Sequence, residues 1–272
     1  MNDAFGAALR SFQRPSVEGY EVVRLLGEGA EARVYLARDA TGREVALKRW
    51  LDPAVTAADK ERLRREVEVL ERVEHEGLAR LLGLTRDDRG APCLVLELVE
   101  GTTLAELIRQ AGRLEPGRAA EVALALADAV GCLHAHGVLH RDIKPSNVML
   151  RQRDRRPVLV DLGVALVRGP RPDPIDAPGS AADGAVVGTL PYMAPEQLGA
   201  EVPGAPAPAL DERADIYALG ALLFEALTGH PPWTTQGSWV RRNRSPWDEP
   251  VFPEVRARAR EVPAALRRIV AT

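Results

Sequence analysis

The stretch HRDIKPSNVML, residues 140–150, is the part of the chain that decides its fold and its chemistry. It follows a helical apolar pattern that stops at Gly137, and its last three residues are typical of a short buried strand. Between the two, Asp142, Lys144 and Asn147 place a carboxylate, an ammonium group and an amide in one short segment. The spacing therefore predicts a polar loop, residues 140–147, held between a helix and a strand.

The three polar groups of this loop suit one kind of reaction. Transfer of a phosphoryl group to a hydroxyl needs a carboxylate near the attacking oxygen, a cation near the transferred group and oxygen ligands for Mg²⁺. Asp142, Lys144 and Asn147 supply one of each. Downstream, VLVDLG (residues 158–163) predicts a buried strand that ends at Asp161. Standing alone such a strand end is commonly a turn, but its distance from Asn147 favours a further metal ligand.

Near the N-terminus, residues 20–50 alternate strand-like runs with short turns: YEVVRLL, GEGAEA, RVYLARD, ATG and REVALKRW. This pattern predicts an antiparallel β meander. In its first turn, Gly27, Glu28 and Gly29 would let backbone N–H groups approach phosphate oxygens. An ordinary hairpin is the competing explanation, because Ala32 stands where a third glycine would complete the motif. A turn between two strands also argues against a dinucleotide fingerprint and a Walker A loop.

An ion pair is predicted between Lys48 and Glu66. Lys48 ends the apolar run VALK, and Thr56 followed by Asp59 resembles a capping box that opens a helix. Glu66 falls on the same face of that helix as the apolar residues Leu63, Val67, Leu70 and Val73. A charge on that face is costly unless it is paired. In the alternative interpretation, Glu66 is one of the solvated charges of RLRREVE.

The remaining pattern changes from β-rich to helical near residue 100. Strand-like runs cover residues 78–84 and 93–99, and helical patterns cover residues 104–111, 118–136, 211–227 and 263–270. Gly229, followed by two prolines, should close the third of these helices. Residues 169–188, rich in Pro, Gly, Ala and Asp, are interpreted as a mobile loop.

Composition excludes several other functions. The formal net charge of −3 comes from 36 basic and 39 acidic residues that nearly cancel, so no basic field points to a nucleic acid. No segment approaches the ~18 uninterrupted apolar residues of a membrane span. Cys93 and Cys132 each lie in an apolar stretch, which favours buried reduced thiols over a disulfide. Because residues 1–14 also lack a signal-peptide pattern, we expect a cytoplasmic protein.

Taken in order, the motifs resemble those of Hanks-type, eukaryotic-like bacterial serine/threonine protein kinases over residues 19–270. HRDIKPSN matches H-R-D-x-x-x-x-N throughout, and DLG resembles D-F-G with Leu162 in place of Phe. Gly188-Thr189 and APE (residues 194–196) resemble the end of the family's activation segment. The resemblance implies an α+β, bilobal kinase-like fold.

The resemblance also implies domain bounds. A flexible leader would cover residues 1–18, and a small β-rich N-lobe with one helix would cover 19–100. A larger helical C-lobe would cover 101–272 and would contain the activation segment, residues 161–196. The last helices of the family's C-lobe would be missing after Thr272, together with the arginine that pairs with Glu196.

By this resemblance the chain would transfer the γ-phosphoryl group of ATP to Ser/Thr hydroxyls of protein substrates. Asp142 would be the catalytic base, with Lys144 beside it, and Asn147 and Asp161 would hold Mg²⁺, or Mn²⁺ in its place. Lys48, paired with Glu66, would contact the phosphates of ATP. The other ATP-binding residues would be Gly27, Glu28 and Gly29 in the turn, Val34, Ala46 and Met149 around adenine, Leu96 as gatekeeper, and Glu97 and Val99.

Structural and regulatory roles follow from the same resemblance. His140 and Leu162 would stack with Leu70 in a regulatory spine, and Asp215 would anchor the polar loop. Arg141, which precedes Asp142, implies control by phosphorylation of the activation segment.

Three hydroxyl-bearing residues lie between Asp161 and Glu196, namely Ser180, Thr189 and Tyr192. Ser180 is predicted to be the regulatory site, with its phosphate pairing with Arg141. Thr189 is instead predicted to hydrogen-bond near Asp142 and Lys144.

Two other functions fit parts of the sequence. A pseudokinase, which has the fold but acts by binding, would be compatible with the early end of the chain, whereas the intact Lys48, Asp142, Asn147 and Asp161 argue against it. A small-molecule phosphotransferase of kinase-like fold would lack the segment 188–196 that docks a peptide. The sequence contains that segment, so a protein kinase is the favoured hypothesis.

Overall fold

A computed structural model describes residues 15–29, 32–51, 67–68, 70–161, 190–198, 210–233, 255, 258 and 260–271. These residues form two compact units. The N-terminal unit contains the described residues up to Glu74 together with Ala79–Leu98, and the C-terminal unit contains His75–Leu78 and the described residues from Val99 onward. Among the described residues no helix is both long and apolar enough to span a membrane.

The N-terminal unit is built on a five-stranded antiparallel sheet in the order β1-β2-β3-β5-β4. Its strands are β1 (Tyr20–Glu28), β2 (Ala32–Asp39), β3 (Glu44–Trp50), β4 (Leu81–Arg86) and β5 (Pro92–Glu97). One buried cluster takes every second residue of three neighbouring strands, as the two-residue period of a sheet requires. These residues are Tyr35 and Ala37, Val45 and Leu47, and Cys93 and Val95. The meander predicted from residues 20–50 is present.

Two predicted boundaries differ from the structure. The run expected at 78–84 is shifted, because the strand begins at Leu81 and Leu78 forms only an isolated bridge to Leu159. The flexible leader predicted over residues 1–18 is wrong for residues 16–18. The Ser16 carbonyl accepts a hydrogen bond from Asp88 N–H at 2.9 Å, and Glu18 N–H donates to the Arg86 carbonyl at 3.0 Å. These bonds fasten that segment to the sheet, and residues 1–14 lie outside the described part of the chain.

The cysteines also differ from one another. Cys93 is a fully buried free thiol, as predicted, and burial raises its pKa to about 12. Cys132 is only partly buried, so the predicted burial is wrong for it. It lies on α2 (Pro116–Ala135) outside the buried face formed by Ala119, Val122, Leu126, Ala129, Val130 and Leu133.

A buried ion pair stabilises the turn between β4 and β5. The Asp87 side chain is 0 % exposed, and its Oδ2 accepts a hydrogen bond from Arg49 Nε at 2.6 Å. Its Oδ1 accepts from the backbone N–H groups of Arg89 and Ala91. Burial alone would raise the pKa of Asp87, but Arg49 and the two N–H donors outweigh it and hold the pKa below its ordinary value.

We expect Asp87→Asn to lower the free energy of unfolding by about 2–4 kcal/mol at pH 7, because the partly buried Arg49 loses its counter-charge. A lowered pKa in the folded state means that this stability is present above the ordinary Asp value of about 3.9. It is lost as pH falls through the lower folded value. Urea denaturation at pH 7 and below pH ~4 measures the free energy of unfolding of both proteins. The difference between wild type and Asp87→Asn should become smaller in acid. The exposed neighbour Asp88, changed to Asn, is the control, and an equal loss in both variants would contradict the prediction.

The C-terminal unit is mainly helical. A three-stranded antiparallel sheet consists of β6 (Gly101–Thr103), β7 (Val148–Arg151) and β8 (Pro157–Leu159). The helices are α1 (Leu104–Ala111), α2 (Pro116–Ala135), α3 (Arg213–Thr228) and α4 (Ala264–Ala271). Short 3₁₀ turns cover Pro145–Asn147, Leu190–Tyr192 and Pro195–Leu198. Every predicted helix from residue 104 onward is present, with bounds that differ by at most two residues.

Local sequence explains how these helices begin and pack. The Thr103 side chain accepts from Glu106 N–H while Glu106 caps the Thr103 N–H, a complete capping box at the start of α1. Pro116 occupies the first turn of α2, where its missing N–H has no cost. Helix α3 is apolar on nearly all sides and packs against α2, so it forms the centre of the unit.

Helix α3 ends at Gly229, which adopts a left-handed φ of +78°. A Cβ atom added there would overlap the backbone carbonyl of Gly112, at the end of α1. We expect Gly229→Ala to lower the free energy of unfolding by about 2–4 kcal/mol, since backbone strain and overpacking add. Gly112→Ala is a matched control, because Gly112 has a φ of +77° but open space around its Cβ position. In denaturant titrations, Gly112→Ala should lower the free energy of unfolding by about 1 kcal/mol. Equal losses in Gly112→Ala and Gly229→Ala would show that the overlap with the Gly112 carbonyl does not contribute.

Candidate active site

The three polar groups predicted in the polar loop meet at the Asp142 carboxylate. Lys144 Nζ donates to Asp142 Oδ2 at 2.8 Å, and Asn147 Nδ2 donates to the same oxygen at 2.9 Å. Asn147 Nδ2 also donates to the Asp142 backbone carbonyl at 2.8 Å. Asp142 and Asn147 are each 7 % exposed. The loop therefore holds a carboxylate whose position is fixed by a cation and an amide.

The two oxygens of Asp142 differ in their surroundings. Oδ2 carries both side-chain bonds, whereas Oδ1 is buried and has no hydrogen-bond partner among the described residues. A buried acceptor left without a donor costs free energy, so such atoms call for an explanation. Asp142 Oδ1 is therefore available to accept a hydrogen bond from another molecule.

Asn147 is one of the two predicted metal ligands. Both hydrogen bonds of its side chain to the described residues are donated by Nδ2, and its amide oxygen accepts none from them. Its backbone carbonyl accepts from Val160 N–H at 2.9 Å, which joins the loop to the residue before Asp161. Within the described ranges no group of three or more His, Cys, Asp or Glu side chains is arranged to hold a metal ion.

Asp215, in the first turn of α3, binds the start of the polar loop. Its Oδ2 accepts from His140 N–H at 2.8 Å, and its Oδ1 accepts from Arg141 N–H at 2.7 Å. The carboxylate is 1 % exposed and also contacts His134 Nε2 at 2.8 Å. The geometry matches the anchoring expected from the resemblance. His134 was not singled out in the sequence, where it is one of two histidines at the end of a helical pattern.

A second residue missed in the sequence also contacts the loop. Gln197, in the turn Pro195–Leu198, donates from Nε2 to the Arg141 carbonyl at 3.0 Å. Its Oε1 accepts from Ala194 N–H at 3.0 Å. Arg141 itself has a φ of +65°, a left-handed conformation that is uncommon for a residue with a side chain. Glu196, which precedes Gln197 in the turn Pro195–Leu198, is half-buried.

Tyr192 was one of the hydroxyls in the predicted activation segment. Its hydroxyl donates a short hydrogen bond to the Glu225 carboxylate on α3. Burial raises the pKa of Tyr192, and the nearby Glu225 charge raises it further. Burial also raises the pKa of Glu225, although the bond from Tyr192 opposes this. The phenol is therefore protonated and committed to a structural bond at neutral pH.

The N-terminal unit holds most of the predicted nucleotide contacts. Lys48 is 6 % exposed on β3, opposite Val34 in the register of β2, and its Nζ lies 6.0 Å from the centre of the Trp50 ring. Ala46 lies between Leu36 and Leu96 in the sheet. Leu96 is buried, whereas the side chains of Val34, Ala46 and Glu97 are half-buried. In the C-terminal unit, Val99 and Met149 are also half-buried.

The glycine turn is a hairpin. Strand β1 runs through Gly27 to Glu28, so the turn is shorter than predicted. Gly29 N–H donates to the Ala32 carbonyl at 2.9 Å, and Glu28 pairs with Arg33 across the two strands at 2.6 Å. Other predicted residues lie outside the described part of the chain, namely Glu66, Leu162, Ser180 and Thr189. Of the predicted spine, Leu70 is 1 % exposed and His140 is 0 % exposed.

Residues 20–249 match the family model described as the protein kinase domain. The chain belongs to the protein kinase family. The resemblance predicted from the motifs is thereby confirmed.

Named relatives agree with this membership. The chain is 36 % identical over 220 residues to serine/threonine-protein kinase pkn2 of Myxococcus xanthus, covering 79 % of this chain and 25 % of that protein. It is 32 % identical over 255 residues to serine/threonine-protein kinase PknD of Mycobacterium tuberculosis, covering 93 % of this chain and 36 % of that protein. The chain thus spans between a quarter and just over a third of these curated relatives.

A solved structure supports the fold. The crystal structure of the PknI kinase domain of Mycobacterium tuberculosis matches with a TM-score of 0.61 at 28 % identity. The match covers 82 % of this chain and 80 % of that one. The predicted α+β kinase fold is therefore confirmed.

Proposed function

We propose that this kinase-family chain transfers the γ-phosphoryl group of ATP to Ser/Thr hydroxyls of protein substrates. The observation that carries the proposal is the asymmetry of Asp142. One carboxylate oxygen is held by Lys144 and Asn147, and the other is buried without a partner among the described residues. This is the arrangement that a general base requires, with a fixed side chain and one oxygen ready to accept a proton.

In this mechanism Asp142 Oδ1 accepts the hydrogen bond of the incoming hydroxyl and then its proton. The bonds to Oδ2 prevent the carboxylate from turning, so Oδ1 keeps one direction. Lys144 places its ammonium group beside the carboxylate, where it stabilises negative charge that develops on the transferred group. Positioning and electrostatic stabilisation account for most of the catalysis expected in phosphoryl transfer.

The described residues fit a bound metal ion. The Asn147 amide oxygen accepts no hydrogen bond within the described chain, and carboxylate and amide oxygens are the ligands that Mg²⁺ prefers. Asn147 and Asp161 would hold Mg²⁺, or Mn²⁺ in its place. When bound, the metal ion neutralises charge on the phosphate oxygens of ATP.

The remaining contacts to ATP are proposed from the family resemblance. Lys48, buried on β3, would pair with phosphate oxygens and with Glu66. The hairpin residues Gly27, Glu28 and Gly29 would cover the phosphates. The adenine ring would contact Val34, Ala46, Leu96, Glu97, Val99 and Met149.

Control by phosphorylation is part of the proposal. Arg141 lies directly before the base, and its backbone is held by Asp215 and Gln197. A phosphate on Ser180 would pair with the Arg141 guanidinium and order the activation segment, and Thr189 would bond near Asp142. Phosphopeptide mapping of active protein tests this, and an unmodified Ser180 in fully active protein would exclude the first part.

The central experiment is mass spectrometry of the protein incubated with ATP, Mg²⁺ and a mixture of Ser-, Thr- and Tyr-containing peptides. We expect phosphate on Ser and Thr, and on the protein itself, and none when Mg²⁺ is removed with EDTA. Binding of ATP without transfer to any residue would instead support the pseudokinase alternative. Transfer to small-molecule hydroxyls alone would support the phosphotransferase alternative.

A further inference from the structure

The backbone of Arg141 is held by side chains from two distant segments. Its N–H donates to Asp215 Oδ1 at 2.7 Å, and its carbonyl accepts from Gln197 Nε2 at 3.0 Å. Its φ of +65° is unfavourable for an L-residue with a Cβ atom. Such conformations persist where the surroundings hold them in place, and they are common at functional sites.

The peptide group between Arg141 and Asp142 is fixed at both ends. Gln197 holds the carbonyl oxygen, and the Asp142 N–H donates to His140 Nδ1 at 3.3 Å. The orientation of this peptide plane sets the direction in which the Asp142 side chain leaves the backbone. The bond from Gln197 is the shorter of the two.

The chemistry of this contact selects glutamine. One side-chain atom must donate to the Arg141 carbonyl while the other accepts the Ala194 N–H at 3.0 Å. An amide does both at once, whereas a carboxylate has no proton to donate and an ammonium group cannot accept. Gln197 thereby ties the turn Pro195–Leu198 to the residue that precedes Asp142.

We propose that Gln197 is a positioning residue for Asp142. It acts through the Arg141 carbonyl, keeps residue 141 left-handed and thereby keeps Asp142 Oδ1 aimed at the substrate hydroxyl. The catalytic half of this inference rests on the proposed function of Asp142, and the conformational half does not.

Two variants separate the bonds of Gln197. Gln197→Met keeps the length of the side chain and removes both bonds. Gln197→Glu keeps an acceptor for the Ala194 N–H but loses the donor and places a carboxylate against the Arg141 carbonyl. Gln110→Met, at an exposed position on α1, makes the same chemical change far from the loop and is the matched control.

The first measurement is hydrogen–deuterium exchange of peptides covering residues 138–147. We expect exchange about five- to tenfold faster in both Gln197 variants, because one hydrogen bond to the loop is lost. Exchange across α2 should not change, and the Gln110 variant should match wild type. Unchanged exchange in residues 138–147, or a wild-type pattern in Gln197→Glu alone, would overturn the proposal.

The second measurement is steady-state phosphoryl transfer. We expect kcat to fall about ten- to hundredfold in both variants with the KM for ATP unchanged, since a small displacement of the base affects only the chemical step. A purely structural role would change the melting temperature and both constants together, and that result would overturn the positioning role. If wild type transfers no phosphate, the proposed function fails, and the exchange measurement still decides whether Gln197 holds the loop.

Discussion

Asp142→Asn is expected to lower kcat for phosphoryl transfer by about 10²- to 10⁴-fold, which is the usual contribution of a general base. The asparagine oxygen can keep the bonds from Lys144 and Asn147 that Oδ2 accepts in wild type. Its NH₂ group then occupies the place of Oδ1 and cannot take a proton. The shape of the loop is therefore kept while the base is lost.

This prediction is checked by steady-state kinetics with ATP, Mg²⁺ and an acceptor peptide. The peptide is one that mass spectrometry has shown wild-type protein to phosphorylate. The melting temperature should stay within a few degrees of wild type, which excludes unfolding as the cause. Asp88→Asn, at an exposed turn of the N-terminal unit, is the control and should keep full activity. A kcat for Asp142→Asn within about threefold of wild type would remove Asp142 from the mechanism.

Asp215→Ala is expected to have the second largest effect, a loss of about 3–5 kcal/mol in the free energy of unfolding. The carboxylate is 1 % exposed and accepts from His140 N–H and Arg141 N–H. Removing it leaves both buried donors without their acceptor, and each such donor costs about 1–3 kcal/mol. Asp215→Asn retains one acceptor oxygen, so its loss should be about half as large.

Denaturant titration of wild type, Asp215→Ala and Asp215→Asn tests whether the loss for the alanine variant is the larger. Glu212→Ala is the matched control, because Glu212 is an exposed acid next to the same helix and makes no capping bond. It should change stability by less than about 0.5 kcal/mol. Equal losses for Asp215→Ala and Glu212→Ala would mean that the bonds to the loop do not contribute.

The sequence predicts best those features whose parts are close in the chain. Asp142, Lys144 and Asn147 lie in one short loop, so their spacing alone brings them together. The glycine end of α3, predicted at Gly229, is local in the same sense. Helix and strand periods therefore predicted these elements with small errors in their bounds.

The features that sequence reasoning missed depend on distant contacts. Gln197 meets Arg141 across 56 positions and His134 meets Asp215 across 81, and nothing in the local pattern marks either residue. The prediction of a leader is wrong for residues 16–18 because their partners lie far along the chain, in the turn near Asp87. Cys132 was misplaced because an apolar neighbourhood does not say which face of a helix a residue occupies.

The left-handed Arg141 has a consequence for the order of folding. The two side chains that hold its backbone, from Asp215 and Gln197, come later in the chain, by 74 and 56 positions. Local interactions cannot form such a loop, since closing these long separations must come first. A refolding chain would regain helices α2 and α3 before it regains the native geometry around Asp142, and during synthesis this geometry must wait until α3 has been made.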